Sequence, residues 1–203
     1  GDLVCAGTDG KIKWSVNHYE MFDGKPIQFG ISESPVVTGN KVIASPGGNL
    51  ASLAAFNIEN GKLIWSSEPL GDGPQYVNPL LIDYAGKQII VTVSGTMIFA
   101  VNAADGKILW KVNYAEQNGA AGNVRKNHAI TPIFRDGNIL IANGYGWVAL
   151  KLKLSADGNS VQKVWENRNF DPQLGGVVLL GNKLYGANHQ SEPADTWICV
   201  DWN

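Results

Sequence analysis

The sequence predicts an all-β fold, a β-propeller of four-stranded antiparallel blades, and three observations carry that prediction. The first is a repeated phrase. Residues 55–65 read Ala-Phe-Asn-Ile-Glu-Asn-Gly-Lys-Leu-Ile-Trp, residues 100–110 read Ala-Val-Asn-Ala-Ala-Asp-Gly-Lys-Ile-Leu-Trp, and residues 9–14 end a third copy as Asp-Gly-Lys-Ile-Lys-Trp. A glycine four positions before a tryptophan is a turn leading into an amphipathic strand. Its tryptophans Trp14, Trp65 and Trp110, continued by Trp165, recur at near-regular intervals, and the period fits one propeller blade. The second is a proline landmark. Pro35, Pro79 and Pro132 each precede an apolar run. The stretches from proline to the next tryptophan (35–65, 79–110 and 132–165) are nearly equal in length. Those from tryptophan to the next proline (14–35, 65–79 and 110–132) are not, so the near-constant interval is the blade and the variable one the connecting loop. The third is punctuation. The chain holds 24 Gly among short runs rich in Val and Ile, and no segment sustains a helical period, so no long helix is expected.

Elements follow in order. Residues 1–17 form a partial blade. The first complete blade, 34–67, has strands near 34–38, 41–45, 52–57 and 62–67. The second, 78–113, has strands near 78–83, 87–93, 97–102 and 107–113. The third, 130–167, has strands near 130–134, 138–143, 147–153 and 161–167. A partial blade, 176–203, stops before its own glycine and tryptophan are due. Glycines at 39, 137 and 181 join first strands to second, where a tight reversal needs positive φ. Gly10, Trp14, Asn57, Gly61, Trp65, Asn102, Gly106, Trp110 and Trp165 are assigned to docking between blades. Each ring packs on a neighbouring blade, and Asn57, Asn102 and Asp201 bond within their turns. Cys5 and Cys199 lack disulfide or metal spacing and read as small buried hydrophobes.

Composition narrows the function. A net charge of −2 gives no electrostatic case for nucleic acid, and no run of about 18 apolar residues is present to insert in a membrane. Chemistry, if present, belongs on the variable loops that gather on one face. The candidates there are Gln28, Glu33, Tyr76, Asn78, Arg125, Asn127, His128, Tyr145 and His189. His128 and His189 are of the type that ligates or acts as a base, against the plainer role of surface or capping residues. Arg125 and Lys126 with Asn123 form a small basic patch suited to a carboxylate, or a solvated loop. Tyr76 and Tyr145 can stack a sugar or an aromatic group, although most aromatics in such folds are core.

The phrase Ala-x-Asn/Asp-x-x-x-Gly-Lys-x-x-Trp resembles the tryptophan-docking motif of the quinoprotein (PQQ-like) β-propellers. More narrowly, Gly30 to Pro35, Pro46 to Gly48, Gly144 to Gly146, Gly175 to Val178 and Cys199 to Trp202 resemble polyvinyl-alcohol-dehydrogenase-like, PQQ-binding-like repeat proteins. The resemblance implies an internal segment of a propeller about twice this length, and a periplasmic, secreted or cell-envelope location. No signal segment is visible in this chain. PQQ with Ca²⁺ enters by resemblance only, since no cofactor motif is evident. Adjacent cysteines, a Cys-x-x-Cys-His and Gly-rich nucleotide motifs are all missing from the sequence. The first reading is therefore a binding or scaffold module for a protein partner, small molecule or carbohydrate. The alternative is a quinoprotein dehydrogenase of alcohols or sugars. Two points stay open. Cys5 stands nine positions before Trp14, one short of the other copies, which leaves the first strand's register undecided. The Trp14 strand can also complete the last blade to close a four-bladed ring, or the chain can be an open arc.

Overall fold

A computed structural model describes residues 1–119 and 125–203. Alternation of apolar side chains with period two dictates strands, and where both faces carry apolar residues each strand is sandwiched between sheets. Five antiparallel sheets result. β1 (Asp2–Ala6) pairs with β2 (Ile12–Asn17). The first blade runs β3 (Val36–Thr38), β4 (Lys41–Ala44), β5 (Ala54–Asn57) and β6 (Leu63–Ser66). The second runs β7 (Leu80–Tyr84), β8 (Lys87–Val93), β9 (Met97–Asn102) and β10 (Ile108–Asn113). The third runs β11 (Ile133–Arg135), β12 (Asn138–Ile141), β13 (Ala149–Leu154) and β14 (Val161–Asn167). The last sheet is β15 (Pro172–Leu180), β16 (Lys183–Asn188) and β17 (Trp197–Asp201). Every sheet is a meander in chain order.

The core lies between sheets. On β4, Val42 packs back toward β1 and β2 while Ile43 packs forward toward the second blade; on β8, Ile90 faces back and Ile89 and Val91 face forward. The largest apolar cluster joins the second and third blades.

The motif fixes register. Trp14, Trp65, Trp110 and Trp165 stand opposite Cys5, Ala55, Ala100 and Lys151, and each pair borders a β-bulge. The missing residue before Trp14 is therefore taken out of the turn, and β1 keeps the register of the corresponding strands in the other blades. Docking follows the predicted rule at two junctions. A Cβ on Gly61 would lie 2.8 Å from Trp14, and one on Gly106 closer still to Trp65, so both positions exclude any side chain. Gly10 faces open space and docks nothing. Indole nitrogens carry the pattern across: Trp14 Nε1 donates to Ile58 O (2.9 Å), Trp65 Nε1 to Ala103 O (3.2 Å) and Trp165 Nε1 to Trp202 O (3.3 Å). Trp110 is buried but its Nε1 has no partner among the described residues. Asn57 and Asn102 accept turn amides from Glu59 and Ala104, both at 2.9 Å, as expected. Asp201 instead takes Lys183 Nζ at 2.8 Å.

One expectation needs correction, and the open point of ring closure is answered. Cys5 is only half-buried and Cys199 is exposed, because β17 has no neighbour on its outer side among the described residues. The β2 strand does not complete the last blade: β1 already holds it and occupies the third-strand position itself. Two one-turn helices, α1 (His18–Phe22) and α2 (Tyr114–Gln117), open the loops after β2 and β10. Asn17 and Asn113 cap them by accepting the amides of Glu20 and Glu116, so an Asn-x-x-Glu phrase just past each tryptophan strand marks them.

Candidate functional site

The variable loops share one face, and their polar side chains first of all hold one another. Asp72 accepts Ser94 Oγ (2.9 Å), Thr96 Oγ1 (2.8 Å) and the Thr96 amide. Asp171 is fully buried and accepts four amides, from Gly146 (2.9 Å), Gln190 (3.0 Å), Ser191 (3.0 Å) and His189 (3.2 Å). Asn118 Oδ1 takes the Val148 amide at 2.8 Å. Gln173 accepts the Gly144 amide (2.9 Å) and donates to Asn127 O (2.7 Å). Loops that join second and third strands are thus clamped by side chains from the loops between blades. Sequence reasoning missed Asp72, Asp171, Asn118 and Gln173; their only signal is an isolated Asx or Gln in a variable interval.

The predicted residues fall into three groups. Tyr76 and Asn78 are fasteners. Tyr76 Oη accepts the Phe29 amide at 3.1 Å, and Asn78 Oδ1 accepts the Ser34 amide at 2.7 Å. Gln28 beside them is exposed. Glu33 lines a cavity of about 10 Å³ between the first two blades, with Ser45, Ser52, Asp72, Gln75 and Thr92. That is room for roughly one water. Burial pushes the Glu33 carboxyl up to about 7, against the Ser45 amide, which donates to it at 2.8 Å. His128 is buried, packed against Tyr114 and Trp147. Its Nε2 lies 3.2 Å from Gly95 O, an atom that can only accept, so Nε2 carries the ring proton. Burial lowers its pKa to about 4, so the ring is neutral at pH 7. It packs in the core and does not meet His189.

The third group does meet. Arg125 lies over the Tyr145 ring, its Cζ 5.4 Å from the centroid, and His189 stands edge-on to the same ring at 4.6 Å. Tyr145 has φ +61 and Gly146 φ +71, within a turn closed by the Trp147 amide on Gly144 O. Turn chemistry favours Asn, Asp or Gly where Tyr145 sits, and a tyrosine there costs roughly 1 kcal/mol. Asn123 lies outside the described residues.

PQQ with Ca²⁺, implied by resemblance, is not matched by the donors of this segment. Among the described residues no three His, Cys, Asp or Glu gather to hold a metal ion. Asp72 and Asp171 already accept hydroxyls and amides, and the two cysteines sit on β1 and β17 rather than side by side.

Four-stranded meander sheets docked on one another, with tryptophan on glycine at two junctions, define the class: a PQQ-like β-propeller repeat protein. The chain belongs to the family described as outer membrane protein assembly factor BamB, which matches residues 1–202. It is 24% identical over 178 residues to the outer membrane protein assembly factor BamB of Bordetella pertussis, covering 88% of this chain and 42% of that protein. It is 28% identical over 145 residues to an uncharacterized protein of Rickettsia conorii, covering 69% of this chain and 33% of that protein. The chain thus spans less than half of either curated relative. Among solved structures, BamB from Moraxella catarrhalis superposes with a TM-score of 0.51 at 13% identity, covering 93% of this chain and 76% of that one. A quinohemoprotein alcohol dehydrogenase from Pseudomonas putida HK5 superposes with a TM-score of 0.54 at 16% identity, covering 85% of this chain and 32% of that one. At these identities the superpositions speak for the fold.

Proposed function

We propose that this chain is part of a cell-envelope scaffold that binds a protein partner through its loop face in outer-membrane protein assembly. The observation that carries the reading is the state of the loop-face carboxylates. Asp72 and Asp171 are engaged by hydroxyls and amides of their own loops, which suits a rigid binding platform better than a pair of free catalytic carboxylates. The family match over residues 1–202 supplies the biological direction. The alternative, a quinoprotein oxidoreductase acting on alcohols or sugars, draws on likeness of fold alone.

Cross-linking in intact Gram-negative envelopes tests the reading, with the tagged full-length polypeptide as bait. The expected result is enrichment of an outer-membrane assembly component over a mock bait. No such enrichment, or dye-linked alcohol oxidation on addition of PQQ and Ca²⁺, overturns it.

A further inference from the structure

We propose that Arg125, Tyr145 and His189 form a recognition site for an acidic peptide segment of the partner, gripped through a carboxylate. This rests on the protein-binding reading above and names the chemistry of its partner.

The chain has three arginines, and two are committed to the fold. Arg135 donates to Gly181 O and Asn182 Oδ1 and lies over the Trp202 ring. Arg168 donates to Asn118 O and Gln117 O and pairs with Glu166. Among the described residues, the Arg125 guanidinium has no hydrogen bond or ion pair; its one contact of note is the Tyr145 ring. Its backbone is nonetheless fixed, because Arg125 O accepts Trp147 Nε1 at 2.9 Å. An anchored main chain with a free planar fork is what bidentate capture of a carboxylate requires.

The surroundings keep that fork available. Asp171, the buried carboxylate that holds the Gly146 amide and the start of the 189–196 loop, is turned toward four backbone amides. Glu192 and Asp195 on the 189–196 loop form no ion pair with Arg125. Lys126 adds a second exposed cation at the next position. Tyr145 is held in a left-handed conformation that places its ring between Arg125 and His189, and strain of this kind collects where geometry matters to a ligand. The His189 amide is pinned to Asp171 while its Nε2 has no partner among the described residues. Arg125 already covers a face of the tyrosine ring and His189 packs against it nearly at right angles, which disfavours sugar stacking and leaves charge as the recognition principle. A single fork beside an aromatic ring suits a peptide carboxylate better than a membrane, which is gripped by broader basic clusters.

Fluorescence anisotropy on the full-length polypeptide at low salt tests this, using a labelled peptide of alternating Asp and Glu and its Asn/Gln counterpart. The acidic probe binds and the neutral one does not. Arg125→Gln weakens binding about tenfold or more, the loss expected for one charge-assisted fork. Lys25→Gln, which removes an exposed loop charge elsewhere, has little effect. Tyr145→Asn relieves the turn, so the protein unfolds at an equal or higher temperature while the probe binds more weakly. Equal binding of both probes, equal losses from Arg125→Gln and Lys25→Gln, or capture of phosphatidylglycerol vesicles without peptide binding each overturns the site. If envelope cross-linking still recovers an assembly component while the acidic probe fails, this site alone falls. If both fail, the scaffold reading falls with it.

Discussion

Glu33 occupies a position, two before the blade's proline, that the next two blades fill with Val77 and Ile130, both buried. A carboxyl withdrawn from water binds its proton more tightly when folded, and burial raises Glu33 to about 7. Its contribution to stability is therefore fully present below the unfolded value near 4.5 and is lost as pH rises to about 7. That shift is worth on the order of 3 kcal/mol. His18 and His128 work the other way. Burial is the chief cause that lowers both to about 4, so their contribution is complete above about 6.5 and is lost as pH falls toward 4. Chemical denaturation from pH 4 to 8 separates the two. Relative to wild type, Glu33→Gln gains stability as pH rises from about 4.5 to 7, and a flat difference contradicts the buried carboxyl. His128 shows the limit of reading residue types. Its type suggested a ligand, but nothing local in the sequence reveals that Tyr114 and Trp147, one well before it and one well after, enclose it.

Strands and turns were far more legible, because their rule is local. The blade order, the docking glycines Gly61 and Gly106 and the burial of Trp65 and Trp110 all follow from one phrase and its period. The third blade breaks the phrase, since Gly158 lies seven positions before Trp165; what the spacing could not show is that its Cβ position faces Ile89 and Tyr84 instead of an indole. Trp110, which would have docked there, has no acceptor among the described residues. The difference is measurable. Trp65→Ala costs about 3–5 kcal/mol through lost burial and the cavity left behind. Trp65→Phe also loses the bond to Ala103 O, while Trp110→Phe loses none, so the first costs about 1 kcal/mol more in urea denaturation. Equal costs contradict a role for the indole hydrogen bond. The candidate site lay beyond such rules. Arg125, Tyr145 and His189 were each chosen singly, on a loop between blades and two loops within them; the third blade's own loops bring Arg125 onto Tyr145, and packing of the last sheet on that blade adds His189.

Across the whole molecule, burial declines from the middle outward. The largest apolar cluster joins the second and third blades, whereas the terminal sheets have two and three strands and expose Val4, Ile12, Val178, Leu180 and Trp197. Opening free energies follow burial. Amide hydrogen exchange is accordingly slowest on β9, at the centre of its sheet, and fastest on β1 and β17; uniform protection along the chain contradicts this gradient. The two cysteines mark the ends of that gradient. Cys5 and Cys199 hold the same place in the motif, but Cys5 stands opposite Trp14 on a paired strand, while Cys199 stands on an open edge and is exposed. Whatever strand lies down beside β17, from this polypeptide or another, shields that sulfur as β2 shields Cys5, so alkylation of Cys199 is a built-in gauge of whether the edge is occupied.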